Sequence, residues 1–303
     1  MTKLTDSLAN DVSRRSLLKQ LVVGVTGATL SGNALAQLGN VKPSGPLKGA
    51  VNHSVSRWTY GKLSIEELCQ VVKLLGFKAI DLVGPEDWAT LKKYGVDSSM
   101  CNGAELNLTD GWADPQFHDA LIARYTAHID KVADAGYTNL ICFSGNKRGK
   151  TPEEGLIHAE KGLKQVLGHA EKRGVVLQME LFNSKVNHPD YFADNSAWGI
   201  ALCDRLGSEN FKLLYDIYHM QISEGDIIRT IQDNHAYFGH YHTAGVPGRH
   251  EIDDTQELYY PAIIKAIVAT GFTGYVAQEF IPTPSDISGQ IASLRQAIDI
   301  CDV

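Results

Sequence analysis

Residues 151–183 read Thr-Pro-Glu-Glu-Gly-Leu-Ile-His-Ala-Glu-Lys-Gly-Leu-Lys-Gln-Val-Leu-Gly-His-Ala-Glu-Lys-Arg-Gly-Val-Val-Leu-Gln-Met-Glu-Leu-Phe-Asn. The opening four residues are a helix start: a Thr cap, Pro at the first helical position, then two acids facing the positive end of the helix. Gly174 is a natural stop. The run at 175–181 is apolar and strand-like, short enough for a buried parallel strand. Its next-to-last residue is Glu180, a carboxylate in a largely apolar segment. One helix feeding one buried strand is the repeating element of an α/β fold.

The same alternation runs outward in both directions. Strands are expected at 50–54, 78–83, 96–101, 139–144, 175–181, 211–217, 238–243 and 274–280. Helices are expected between them, from a Ser64 cap to Gly76, Pro85 to Gly95, Pro115 to 135, Thr151 to Gly174, 193–206, 226–233, Pro261 to Gly271, and last 285–300. Eight strand–helix units in about 250 residues predict a single-domain (β/α)8 TIM barrel over 49–303. A doubly wound open sheet is the competing architecture, but no GxGxxG follows the first strand.

Composition agrees with a globular protein. The chain has 303 residues, 44% hydrophobic and 21% charged, with a net charge of −7. The acidic balance argues against a nucleic-acid partner, which would need a basic stripe. Cys69, Cys101, Cys142, Cys203 and Cys301 form no CxxC pair, and an odd number cannot all pair within one chain.

Ahead of the barrel, Ser13-Arg-Arg-Ser-Leu-Leu-Lys19 precedes an apolar stretch interrupted by Gly24 and Gly27, and then Ala34-Leu-Ala36. A charged start, a short apolar run and an A-x-A cut form a secretory signal over 1–36. The paired arginines resemble a twin-arginine signal. Residues 37–48, with Pro43, Gly45 and Pro46, read as a flexible leader. The expectation is twin-arginine export to the periplasm, a route that suits a protein folded around its cofactor before crossing.

Barrel enzymes keep their chemistry at the C-terminal ends of the strands. Near those ends, strand five carries Glu180, strand six Asp216, strand seven His240 and His242, and strand eight Glu279. A buried carboxylate is costly unless paired or bound to a cation. Four consecutive strands bring Glu180, Asp216, His242 and Glu279 to one depth without an intervening Lys or Arg. That points to a divalent metal ion, and the mixed oxygen and nitrogen set suits Mn²⁺, Mg²⁺ or Co²⁺. His240 lies deeper and reads as a hydrogen-bonded core histidine. His219 and Arg249 are candidates for holding substrate oxygens; ligation of the metal is the other reading of His219, and a loop-fixing ion pair with Glu251 that of Arg249. Trp58, Trp112 and Phe182 follow strands and could wall a pocket. Arg148 reads as an exposed loop charge.

At these residues the chain resembles the xylose-isomerase-like barrel superfamily and, within it, the hydroxypyruvate isomerase family. The segments that carry the likeness are Cys142-Phe-Ser-Gly-Asn-Lys-Arg148, Asn183 through Asn187-His-Pro189, Tyr215-Asp-Ile-Tyr-His-Met-Gln221 with Glu224-Gly-Asp226, Ala244-Gly-Val-Pro-Gly-Arg-His-Glu251, and Gly274-Tyr-Val276 with Glu279-Phe280. The resemblance implies a metal-dependent isomerase acting on a small hydroxy-keto acid or sugar through an enediolate, with Glu180 and Glu279 as the proton-transfer pair. The family usually has Gln where this chain has His242. His there, with the spacing of Asp216 and His219, is similar to ketose 3-epimerases. The loop at 102–115 also departs from the family. An inosose dehydratase-like lyase uses the same barrel and the same kind of enolate. A metal-dependent endonuclease would show more His ligands and a basic face, and a periplasmic binding protein would not need two proton-transfer glutamates. Substrate is therefore expected among small sugars and hydroxy-keto acids. The sequence leaves a homo-oligomer open.

Overall fold

Two capping boxes start the helices that the sequence marks most strongly. Ser64 accepts from Glu67 N while Glu67 reaches back to Ser64 N, and Thr151 and Glu154 do the same. In the computed structural model, which describes residues 46–303, these boxes open α1 (Ile65–Leu75) and α4 (Pro152–Arg173). The signal at 1–36, and all but the last three residues of the leader, lie outside the described residues.

Eight strands alternate with the helices: β1 (Asn52–Ser56), β2 (Ala79–Asp81), β3 (Asp97–Ser98), β4 (Asn139–Cys142), β5 (Val176–Glu180), β6 (Phe211–Asp216), β7 (Phe238–Thr243) and β8 (Tyr275–Gln278). All pair parallel, in the order β3-β2-β1-β8-β7-β6-β5-β4. The ring closes just past β3, where Cys101 N donates to Asn139 O at 2.9 Å and Ile141 N donates to Cys101 O at 3.0 Å. The remaining helices are α2 (Pro85–Tyr94), α3 (His118–Asp134), α5 (Ser196–Leu206), α6 (Ile217–Ser223), α7 (Ile227–Asn234), α8 (Tyr260–Ala269) and α9 (Ile287–Cys301). The architecture is the TIM barrel anticipated.

Several elements differ in detail. The third strand has two residues in regular ladder rather than six, because the chain bends at Ser99 and Met100 before Cys101 bridges to its neighbours. The sixth strand stops at Asp216, whose side chain accepts from His219 N and caps α6. That helix is continuous in hydrophobicity with the strand, so periodicity cannot separate the two.

The five cysteines are unpaired and buried. They lie on α1 (Cys69), at the β3–β4 seam (Cys101), at the end of β4 (Cys142), on α5 (Cys203) and on α9 (Cys301).

Above the strands, the loop after β3 is fastened to the loop after β4. Trp112 N donates to Phe143 O and Ala113 N to Ser144 O. Gly111 and Gly145 make this approach possible, since a Cβ on either would overlap the other's backbone, and Gly145 has φ +78°. Trp112 is fully buried against Tyr125 and His118, so it belongs to the core and does not wall a pocket. Gly145→Ala combines a strained φ with overlap. It is expected to cost about 1–3 kcal/mol, as overpacking does, and to lower the urea midpoint; an unchanged midpoint would show that the two loops can separate freely.

Candidate active site

Residues two apart on a strand share a face, so Gln178 and Glu180 on β5, and His240 and His242 on β7, pair off on one side of their strands. The register sets Asp216 directly beside His242, and His242 beside Ala277, two residues before Glu279. The strand ends therefore deliver Glu180, Asp216, His242 and Glu279 to one place. One ligand atom from each lies within 4.8 Å of every other, and all four residues are buried.

His242 is the centre of the cluster. Its Nδ1 lies 3.1 Å from Glu180 Oε1 and 2.9 Å from Glu279 Oε2, and its Nε2 lies 2.8 Å from Asp81 Oδ2. Glu279 has two further donors: Trp58 Nε1 to Oε1 at 2.7 Å, and Arg249 to Oε2. Asp216 uses Oδ1 as the helix cap. Its Oδ2 is buried without a hydrogen-bond partner, 3.5 Å from Arg249 Nη2 and 3.7 Å from His219 Nε2.

Arg249 reaches this cluster from the loop after β7, and does not pair with Glu251, which accepts instead from Thr283 N and Ser293 Oγ. Its backbone has φ +61°, a region that costs a non-glycine residue about 1 kcal/mol or more. A narrow hairpin holds it there, with Gly245 N donating to His250 O, Arg249 N to Gly245 O, and Ile281 N to Arg249 O. The guanidinium lies 5.3 Å from the Trp58 ring centre and 5.5 Å from that of Tyr218. The polar layer thus includes one fixed cation brought by a loop, which reading strand ends alone does not reveal.

His219 presents one defined donor. Asn183 Oδ1 accepts from Val186 N and Asn187 N, so its amide nitrogen must face His219 Nδ1, 2.6 Å away. Nδ1 is then the acceptor and Nε2 carries the proton. Phe182 stacks on His188 at 4.1 Å and meets His219 edge-on, making the wall beside it. Arg148 is paired with Asp110 and Asp114, and stays away from the cluster.

Burial sets the protonation pattern, modified by neighbours. It pushes the Glu180 carboxyl upward, only partly offset by His242. It would raise Glu279 as well, but His242 and Arg249 together hold that carboxyl well below its ordinary range. Burial opposes a charge on His242, yet Glu279 and Asp81 outweigh it and raise the imidazole. His219 is driven down by burial, with Arg249 adding to the effect, which keeps the ring neutral.

The donor set fits a divalent cation: three carboxylates, one imidazole nitrogen aimed at two of them, and an unpartnered buried oxygen on Asp216. Asp81 is the residue that reading the strand ends overlooked. It ends β2 just as Glu180 ends β5, so the same criterion applied to all eight strands would have found it.

The chain belongs to the xylose isomerase-like TIM barrel family, whose model matches residues 70–297. Among its relatives it is similar to 2-oxo-tetronate isomerase of Cupriavidus necator, 35% identical over 120 residues, which cover 40% of this chain and 45% of that protein. It is also similar to the putative hydroxypyruvate isomerase of Drosophila melanogaster, 31% identical over 236 residues, covering 75% of this chain and 89% of that one. The match thus spans less than half of the first relative and most of the second. Among solved structures it resembles AP endonuclease, family 2, from Brucella melitensis, with a TM-score of 0.72 at 20% identity over 80% of this chain and 97% of that chain, a likeness of fold.

Proposed function

We propose that the chain is a metal-dependent isomerase that moves a proton beside the carbonyl of a small hydroxy-keto acid or sugar. The observation that carries this is the buried quartet Glu180, Asp216, His242 and Glu279 at the ends of four consecutive strands. The hydroxypyruvate and 2-oxo-tetronate isomerases among its relatives support the substrate class.

These four residues would hold one divalent ion, with Mn²⁺, Mg²⁺ or Co²⁺ matching the donors. When bound, such an ion would acidify the substrate C–H beside the carbonyl and stabilise the resulting enediolate. The chain's own groups do the rest. Glu180 and Glu279 come from β5 and the end of β8, on either side of His242, and serve as the pair that removes and returns the proton. Arg249 and Trp58 fix both oxygens of Glu279. His219 offers its Nε2–H to a substrate oxygen, and Arg249 offers its remaining N–H groups to another. Phe182 and His188 provide an apolar wall that limits water. A second reading, ketose 3-epimerisation, is favoured by His242 itself, which stands where the hydroxypyruvate isomerases usually have Gln.

Incubating the manganese-loaded protein in D₂O with hydroxypyruvate, 2-oxo-tetronate and D-fructose separates these readings by NMR. Deuterium entering beside the carbonyl with a change of carbonyl position marks isomerisation, and inversion at C3 marks epimerisation. No exchange with any of the three would overturn the proton-transfer reading for these classes.

We also propose export by the twin-arginine route, supported by the run Ser13-Arg-Arg-Ser-Leu-Leu-Lys19 and Ala34-Leu-Ala36. Arg14→Lys with Arg15→Lys should keep folded protein in the cytoplasm on cell fractionation. Mature doubly substituted protein in the periplasmic fraction would refute this.

A further inference from the structure

Beneath the quartet lies a second buried polar group that the proton-transfer chemistry does not use. Asp81 ends β2 and is fully buried. Its Oδ2 lies 2.8 Å from His242 Nε2, and its Oδ1 lies 2.9 Å from His240 Nε2. Oδ1 also accepts from Ser99 Oγ at 2.7 Å, and Ser99 Oγ lies 2.6 Å from Ser54 Oγ on β1. All of these side chains are buried.

We infer that Asp81 is a positioning residue for the metal ligand His242. Resting on the metal reading above, the argument is one of proton placement. An ionised carboxylate can only accept, so the nitrogen facing Asp81 must carry a hydrogen. In a neutral imidazole the other nitrogen, Nδ1, then holds the lone pair, and Nδ1 is the atom that faces Glu180 and Glu279. The contact selects the tautomer that can ligate, fixes the ring's rotation, and raises the donor strength of Nδ1. Ser99 holds the carboxylate in turn, so the chain of contacts runs from Ser54 on β1 through Ser99, just past β3, and Asp81 on β2 to His242 on β7, and ends at the metal site. Carboxylate partners of ligating histidines act in this way, and losing one typically weakens metal binding by roughly 10–100-fold.

A second metal ion held by Asp81, His240 and His242 is the rival reading, since their ligand atoms also lie within 4.8 Å of one another. Two observations weigh against it. Asp81 Oδ1 is already taken by the Ser99 hydroxyl. An ion on His242 Nε2 would also displace the proton that makes Nδ1 the natural donor to the first.

The test is calorimetric Mn²⁺ titration of the metal-free whole chain, as wild type, Asp81→Asn and Ser99→Ala, with the thermal midpoint of each metal-free protein measured beside it. Wild type is expected to bind one ion, and Asp81→Asn to bind one ion roughly 10–100-fold more weakly. Ser99→Ala should weaken it several-fold. A purely structural role would lower the midpoint and leave the affinity alone, so unchanged affinity in Asp81→Asn overturns the inference while the metal reading stands. If Asp81→Asn does not fold, Ser99→Ala decides: weaker binding supports the inference and unchanged binding overturns it. Two ions in wild type falling to one in Asp81→Asn would make Asp81 a ligand and also overturn it. No binding by wild type would remove the metal reading, and this inference with it.

Discussion

Glu180→Gln and Glu279→Gln should each lower turnover by roughly 10²–10⁴-fold, the loss that follows removal of a general acid or base. Substrate should still bind. Gln keeps an oxygen that can face a cation, keeps the side-chain volume, and removes only the ability to take a proton. The two positions have different surroundings, so their secondary effects should differ. Glu279 is held by Trp58, Arg249 and His242. Replacing it leaves Arg249, a cation only 12% exposed, without its principal partner, so a loss of stability should accompany the loss of rate. Glu180 has His242 as its charged partner, and Glu180→Gln should be the milder change to stability. Turnover and solvent-deuterium exchange, measured for each variant with metal content determined in parallel, check this. A variant with its metal bound and near wild-type turnover would reduce that glutamate to a ligand.

The second large effect concerns the ion. Asp216→Asn and His242→Ala should each strip the metal and lower the thermal midpoint measured in excess Mn²⁺. A ligand that binds only the folded state stabilises it by about 4 kcal/mol at a thousandfold excess over its dissociation constant, and that increment is what these variants forfeit. His242→Ala should also unfold more readily without metal, because Asp81, Glu180 and Glu279 then lose a shared partner. Asp216→Asn should behave otherwise. The Oδ2 that it changes has no hydrogen-bond partner, so the metal-free midpoint should move little. Metal content equal to wild type in both variants would remove the four-residue site.

Reading the sequence served best where a signal was local. Ser64 and Thr151 announced their helices because the cap and its acid sit three residues apart. Gly76, Gly95 and Gly174 ended theirs in the left-handed conformation that glycine favours. The quartet was visible because a carboxylate at the end of an apolar strand is anomalous within that strand alone. Long-range contacts left no such mark. Asp81 ends β2 as Glu180 ends β5 and answers to the same criterion, but its contact with His242, 161 positions away, leaves no local trace. Arg249 sits in a loop whose left-handed backbone aims the guanidinium inward, so its partners on β6 and beyond β8 could not be inferred from neighbours. Trp112 resembled a pocket aromatic because it follows a strand, yet the Gly111–Gly145 contact folds its loop down onto α3. Asp216 and α6 show the same limit at short range, since strand and helix share one apolar run and only the cap divides them.

The cysteines have a use of their own. Burial pushes the thiols of Cys69, Cys101, Cys203 and Cys301 up to about 12, and Cys142 well above its ordinary value. In the native molecule none is a competent nucleophile, because the thiolate is the reactive form. An alkylating reagent can therefore modify each one only when its own surroundings open. The five are spread over α1, the β3–β4 seam, β4, α5 and α9, so their labelling rates, resolved peptide by peptide in a mass spectrometer, chart which arc of the ring breathes first. Between β3 and β4 the seam at Cys101 is held by two backbone hydrogen bonds and one from the Asn139 side chain rather than a long ladder, so Cys101 should be among the first to label.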